Sequence, residues 1–110
     1  MNVRKVSVIC PVFNEEKFIE ACLVSIIEQD YPQDMMEVLF VDGRSTDKTR
    51  EIIERYMKQY PFIKRLDNPE RIVPYALNRG LEAAKGEVIM RLDGHCTYPT
   101  NYISELVRYL

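Results

Sequence analysis

Four short apolar runs rich in β-branched residues alternate with segments of helical periodicity, and this alternation restricts the fold more than any other feature of the chain. VSVIC (Val6–Cys10) reads as a buried strand that stops at Pro11. VLFVD (Val38–Asp42) is a second, FIKRL (Phe62–Leu66) a weaker third, and EVIMRL (Glu87–Leu92) a fourth. Between them apolar residues recur at helical spacing. Phe18, Ile19, Cys22, Leu23, Ile26 and Ile27 share one face, Ile52, Ile53, Tyr56 and Met57 a second, and Leu77, Leu81 and Ala84 a third. A last face carries Ile103, Leu106, Val107 and Leu110. Asn14 is placed to cap the first helix, Ser45 and Thr46 the second, and Gly86 to end the third as a glycine C-cap. The order βαβαβαβα implies an α/β fold: a mainly parallel sheet with helices on both faces. At 110 residues the chain suits one domain, residues 1–110. Its end on an apolar helix face without a cap suggests a piece of a larger domain, whose open sheet edge and helix face can pair with a second copy as a homodimer.

Composition narrows the function classes. The net charge is −2 and basic residues form no block, which argues against nucleic acid as a partner. No apolar stretch reaches the ~18–20 residues of a membrane span, and the first residues lack a signal-peptide pattern. A cytoplasmic protein is expected, with membrane association only through segments outside this chain, such as placement at the inner face of the membrane. Three cysteines without paired spacing suit reduced thiols: Cys10 and Cys22 read as small buried hydrophobes, and Cys96 as a plain loop thiol.

Ligands of open α/β sheets bind outside the carboxyl ends of the strands. Those ends hold Pro11, Phe13, Asn14 and Glu15 after the first strand, Asp42, Gly43 and Arg44 after the second, and Asp93, Gly94 and His95 after the fourth. A carboxylate only accepts hydrogen bonds, so it suits the N–H of a base, the hydroxyls of a ribose or a hard cation that bridges phosphates. An adjacent histidine adds a nitrogen that Mn²⁺ takes more readily than Mg²⁺. Gly94 keeps the backbone permissive where a diphosphate would approach. There is no P-loop, no dinucleotide fingerprint and no nucleophile elbow. A receiver-like phosphotransfer domain would need paired acids directly after the first strand, where CPVFNE stands instead. A non-catalytic nucleotide-binding or assembly module remains the alternative to an enzyme.

Three ordered blocks resemble family 2 glycosyltransferases. VSVICPVFNEEKFIEACLVSI is similar to their opening, and FVDGRSTDKT to the V-D-D-G-S-x-D-x-T block. ALNRGLEAAKGEVIMRLDGH is similar to the block that ends in D-x-D. The LDGH ending and the NPERIVPYALNRG lead-in look closest to bacterial succinoglycan-type exopolysaccharide enzymes. The resemblance implies a Rossmann-like N-terminal half of a GT-A fold and an inverting, metal-dependent transfer. The donor would be a nucleotide-diphosphate sugar, with UDP the expected nucleotide, and the acceptor a saccharide or lipid-linked chain. It puts Pro11, Phe13, Asn14 and Glu15 at the nucleoside, Asp42 at the base, Asn78 near the donor, and Asp93 at ribose and metal. The cation would be Mn²⁺ or Mg²⁺, with His95 standing where the family's main metal ligand is usually an acid. Gly43 and Arg44 also depart from the pattern, Arg44 being a candidate partner for phosphate, and Leu77 replaces a common arginine. The family's catalytic base has no match here and is expected beyond Leu110.

Overall fold

The strands form where the apolar, partly β-branched runs fall, and the computed structural model describes residues 3–110. They are β1 (Val6–Val12), β2 (Met36–Asp42), β3 (Ile63–Asp67) and β4 (Val88–Arg91), each followed by a helix. The helices are α1 (Ile19–Ile27), α2 (Thr49–Met57), α3 (Val73–Ala83) and α4 (Tyr102–Arg108), with a 3₁₀ turn at Gln33–Met35 before β2. All pairings are parallel, in the order β3-β2-β1-β4. The chain thus winds outward through β1, β2 and β3, then crosses to the other side of β1. This reversal creates a crevice between the carboxyl ends of β1 and β4.

One face of the sheet carries the larger core. Val6, Val8, Cys10 and Val12 of β1 pack with Val38 and Phe40 of β2, and with Ile19, Cys22, Leu23, Ile26, Ile53 and Ile103 of the covering helices. On the other face Ile9 and Val41 meet Ala76 of α3. The α/β class with helices on both faces is as expected, and no helix among the described residues is long and apolar enough to cross a membrane.

The structure corrects four local expectations. First, β1 does not stop at Pro11 but runs on to Val12. The Val12 carbonyl accepts from Gly43 beyond β2, and the Ile9 carbonyl accepts from Leu92 on the β4 side. Alternate residues face alternate neighbours, so Pro11 faces the β4 side just past the end of β4, where its missing N–H costs no ladder bond. Second, Phe18 and Leu81 are more than half exposed. Helix α3 instead approaches β1 through Ala76 and Gly80: a Cβ on Gly80 would fall 2.6 Å from Ile9 Cγ2. Third, Gly86 has no positive φ and caps nothing. A Cβ there would stand 2.6 Å from the backbone nitrogen of Ser7, so its role is close approach to β1. Fourth, Asn14, Ser45 and Thr46 cap no helix, because they bond to one another across two loops.

Candidate functional site

Each of the first three strands leads into a loop with a non-glycine residue in the left-handed region: Asn14 (φ 51°), Arg44 (φ 61°) and Arg71 (φ 68°). Such conformations cost on the order of 1 kcal/mol or more and gather at functional sites. Cross-bonds hold them. The Asn14 N–H donates to Ser45 Oγ (2.9 Å), and Thr46 N–H to Asn14 Oδ1 (2.8 Å). The Glu15 N–H donates to Thr49 Oγ1 (2.8 Å). Asp47 Oδ1 accepts from Thr49 N–H (2.9 Å) at the start of α2. Arg44 forms a two-pronged pair with Asp67 on the open side of the sheet, and the Arg71 guanidinium lies 5.7 Å above the Phe13 ring centre.

A cleft of about 220 Å³ opens at the β1/β4 crossover. Pro11, Phe13, Glu15, Asp93 and His95, all singled out in the sequence, line it together with Asn68, Arg71 and Arg91. Asn14 lies in the stitched loops beside it, and Asp42 is buried behind its wall. Arg44 and Asn78 lie outside: Arg44 is tied to Asp67, and Asn78 is exposed on α3.

The loop after β4 is fixed by its backbone. Asp93 N–H donates to the Tyr98 hydroxyl (2.8 Å), which donates back to the Asp93 carbonyl (3.1 Å). The Cys22 thiol reaches the same carbonyl at 3.5 Å. Burial raises the Tyr98 pKa well above its usual range, so the hydroxyl keeps its proton. Gly94 is needed for space: a Cβ would meet Val12 Cγ1 at 2.6 Å. His95 Nδ1 is 3.3 Å from Glu15 Oε2, and Arg91 Nη2 is 3.7 Å from Asp93 Oδ1. Cys96 lies in the loop as expected, in a turn closed by its N–H to the Asp93 carbonyl that brings it beside Asp93 and His95. One ligand atom each from Asp93, His95 and Cys96 lies within 4.8 Å of the others. A carboxylate oxygen, an imidazole nitrogen and a thiol sulfur so placed fit a divalent cation.

Among the described residues, three buried side-chain oxygens take no hydrogen bond: Glu15 Oε2, Asp42 Oδ2 and Asn68 Oδ1. Asp42 Oδ1 is satisfied by the Ser45 N–H (3.1 Å) and hydroxyl (2.6 Å), while Oδ2 has only Arg65 Nη1 at 3.6 Å. A buried acceptor without a donor costs about 1–3 kcal/mol. All three stand just after, or at the end of, β1, β2 and β3, on the side of the sheet where the cleft opens. Sequence reasoning missed Asn68, Arg71 and Tyr98. The Asn68–Pro69 turn pair was the available signal for the first; Arg71 and Tyr98 fall outside any periodic pattern.

The family model described as glycosyl transferase family 2 matches residues 7–110. A dolichyl N-acetylglucosaminyl phosphate diacetamidodideoxyglucuronosyltransferase of Methanococcus voltae is 42% identical over 96 residues, covering 86% of this chain and 30% of that protein. The succinoglycan biosynthesis protein ExoA of Rhizobium meliloti is 37% identical over 102 residues, covering 91% and 31%. Among solved structures, the mannosyltransferase PcManGT of Pyrobaculum calidifontis, in complex with GDP-Man and Mn²⁺, superposes with a TM-score of 0.92 at 34% identity, over 99% of this chain and 33% of that one. TarS (1–349) of S. aureus, in complex with UDP-GlcNAc, gives 0.81 at 29% identity, over 96% and 30%. The chain therefore spans about a third of the length of the proteins it matches.

Proposed function

The chain belongs to glycosyltransferase family 2, and from that premise we propose that residues 1–110 form the donor-binding half of an inverting, metal-dependent glycosyltransferase. The donor is a UDP-linked sugar, and the acceptor a saccharide or lipid-linked chain in polysaccharide assembly. The succinoglycan and dolichyl-phosphate relatives support such acceptors by their names. The observation that carries the reading is the pair of residues lining the cleft whose buried acceptors, Glu15 Oε2 and Asn68 Oδ1, take no hydrogen bond. A nucleoside brings the N–H and O–H groups that these oxygens lack.

In this reading Asp42, fully buried outside the cleft lining, fixes the Ser45 loop beside the site, and the exposed Phe13 ring with Arg71 above it offers uracil a flat apolar and cationic wall. Pro11 shapes the floor of the cleft, Asn14 holds the loop that presents Glu15, and Asp93 accepts from the ribose. A divalent cation, Mn²⁺ or Mg²⁺, held by Asp93 and His95, would supply charge neutralisation for the departing nucleoside diphosphate. Arg71 and Arg91 line the same cleft and add fixed positive charge toward a diphosphate. The Tyr98 hydroxyl holds the backbone N–H and carbonyl of Asp93 in place. The base that deprotonates the acceptor belongs to a part of the enzyme that this chain does not supply.

The test is calorimetric titration of UDP, GDP, CDP and ADP, each with and without Mn²⁺, into the wild-type chain and Asp93→Asn. UDP binding that needs Mn²⁺ and disappears in Asp93→Asn supports the proposal. Binding of GDP alone would replace the donor with the class held by PcManGT. No binding by any nucleotide would overturn the donor-site reading in favour of a non-catalytic module.

A further inference from the structure

The turn after β4 places an oxygen, a nitrogen and a sulfur donor within 4.8 Å of one another, from Asp93, His95 and Cys96. Ligands bonded to one ion at about 2.0–2.3 Å sit roughly 3.3–3.8 Å apart, so small side-chain rotations close the set. The backbone beneath is already set, with both polar groups of Asp93 bonded to Tyr98 and the Cys96 N–H bonded to the Asp93 carbonyl. Glu15 Oε2 stands 3.3 Å from His95 Nδ1 without a hydrogen bond between them.

A sulfur donor changes which cation such a site prefers. Carboxylate and water suit Mg²⁺ and Mn²⁺, whereas thiolate selects softer ions, and nitrogen or sulfur sites hold Co²⁺ and Zn²⁺ more tightly than Mn²⁺. We propose that Cys96 Sγ is a third protein ligand of this site and makes it select a thiophilic cation, Zn²⁺ or Co²⁺, over Mg²⁺ and Mn²⁺. This rests on the reading that Asp93 and His95 hold a cation. On binding, the S–H bond breaks, its proton passes to solvent and the sulfur lone pair forms the metal bond; no electron transfer is involved. Cys10 and Cys22 are fully buried, and the Cys22 thiol is engaged with the Asp93 carbonyl, so a metal-thiolate signal from the folded chain belongs to Cys96.

The experiment is a Co²⁺ titration followed by absorbance, then Zn²⁺ and Mn²⁺ competition, with and without UDP or GDP, with far-ultraviolet circular dichroism to confirm the fold. The wild type should show a near-ultraviolet thiolate-to-cobalt charge-transfer band that Zn²⁺ abolishes and Mn²⁺ does not. Cys96→Ser should lose the band, with Zn²⁺ affinity falling about tenfold or more. Cys96→Asp should also lose it while shifting preference toward Mn²⁺. Cobalt d–d bands without the charge-transfer band, or equal wild-type affinities for Zn²⁺ and Mn²⁺, would overturn the role of Cys96 and leave Asp93 and His95 as ligands. No uptake of any of the three ions under any condition would overturn the inference and the metal reading together.

Discussion

The proposed role of Asp93 lies in its side chain, and Tyr98 fixes the backbone that carries it. Tyr98→Phe keeps the ring and its 4.9 Å packing on Tyr102 while removing both bonds to the Asp93 backbone. The loss should destabilise the chain by about 1 kcal/mol and weaken Mn²⁺ binding, read by urea denaturation and metal titration; unchanged metal affinity would show that the clamp is dispensable. Far from the cleft, Glu37 is a second residue whose environment sets its chemistry. Burial pulls its carboxyl pKa up, yet bonds from the Ser7 hydroxyl (2.6 Å), the Lys85 N–H (2.6 Å) and Lys64 Nζ (3.4 Å) outweigh that and hold it below the usual range. A depressed folded pKa means the stabilisation is complete above the unfolded value of about 4.3 and is lost as pH falls through the folded value. Glu37→Gln turns an amide N–H₂ toward these donors and should cost about 1–3 kcal/mol at pH 7. The gap to wild type should close on acidification, and a pH-independent gap in denaturation midpoints would refute this account.

Between elements, what matters is how closely they approach. Gly86→Ala pushes a methyl into Ser7 N (2.6 Å) and Ser7 Oγ (2.7 Å), the group that also accepts the Gly86 N–H and donates to Glu37. Backbone at both ends leaves little room to yield, so a loss of about 1–3 kcal/mol in thermal unfolding is expected; an unshifted midpoint would mean that β4 can slide along β1. This pair also shows what a single sequence can reveal. The four apolar runs announced the strands, most plainly β1 and β2, which are buried on both faces; the helix faces followed their periodicity only in part, since Phe18, Leu106 and Leu110 are exposed. Gly86 misled, and Gly80 drew no reading, because their absent side chains matter only against Ser7 and Ile9, more than seventy positions away. Asn14 and Ser45 looked like caps for the same reason: their hydroxyl and amide groups suit caps, but a partner loop claimed them. The cleft was half legible. Acids ending buried runs marked Asp42 and Asp93, whereas Asn68 and Arg71 enter through a loop with no periodic signature.

Taken whole, the molecule is uneven: β1 and β2 form a buried centre, and cover thins toward both sides. Every residue of β2 is buried, including Glu37 and Asp42. By contrast α3 buries only Ala76 and Gly80, and α4 only Ile103, leaving Ile72, Tyr75, Leu81, Leu106 and Tyr109 exposed. Local opening follows buried contact, so amides of β1 and β2 should exchange only through global unfolding, while those of α4 open at a free energy lower by about 3 kcal/mol. The cleft spans this gradient. Its β1 and β2 walls are stitched together by Asn14, Ser45 and Thr49, whereas its Asp93–Tyr98 wall leads into the weakly covered α4. A ligand that bridges both walls binds only the closed arrangement and must raise protection on the weaker side. Native-state hydrogen exchange should therefore show nucleotide with Mn²⁺ slowing residues 93–98 and α4 while barely changing β1 and β2. If α4 exchanges as slowly as β1 before any ligand is added, the gradient does not exist and the cleft is rigid throughout.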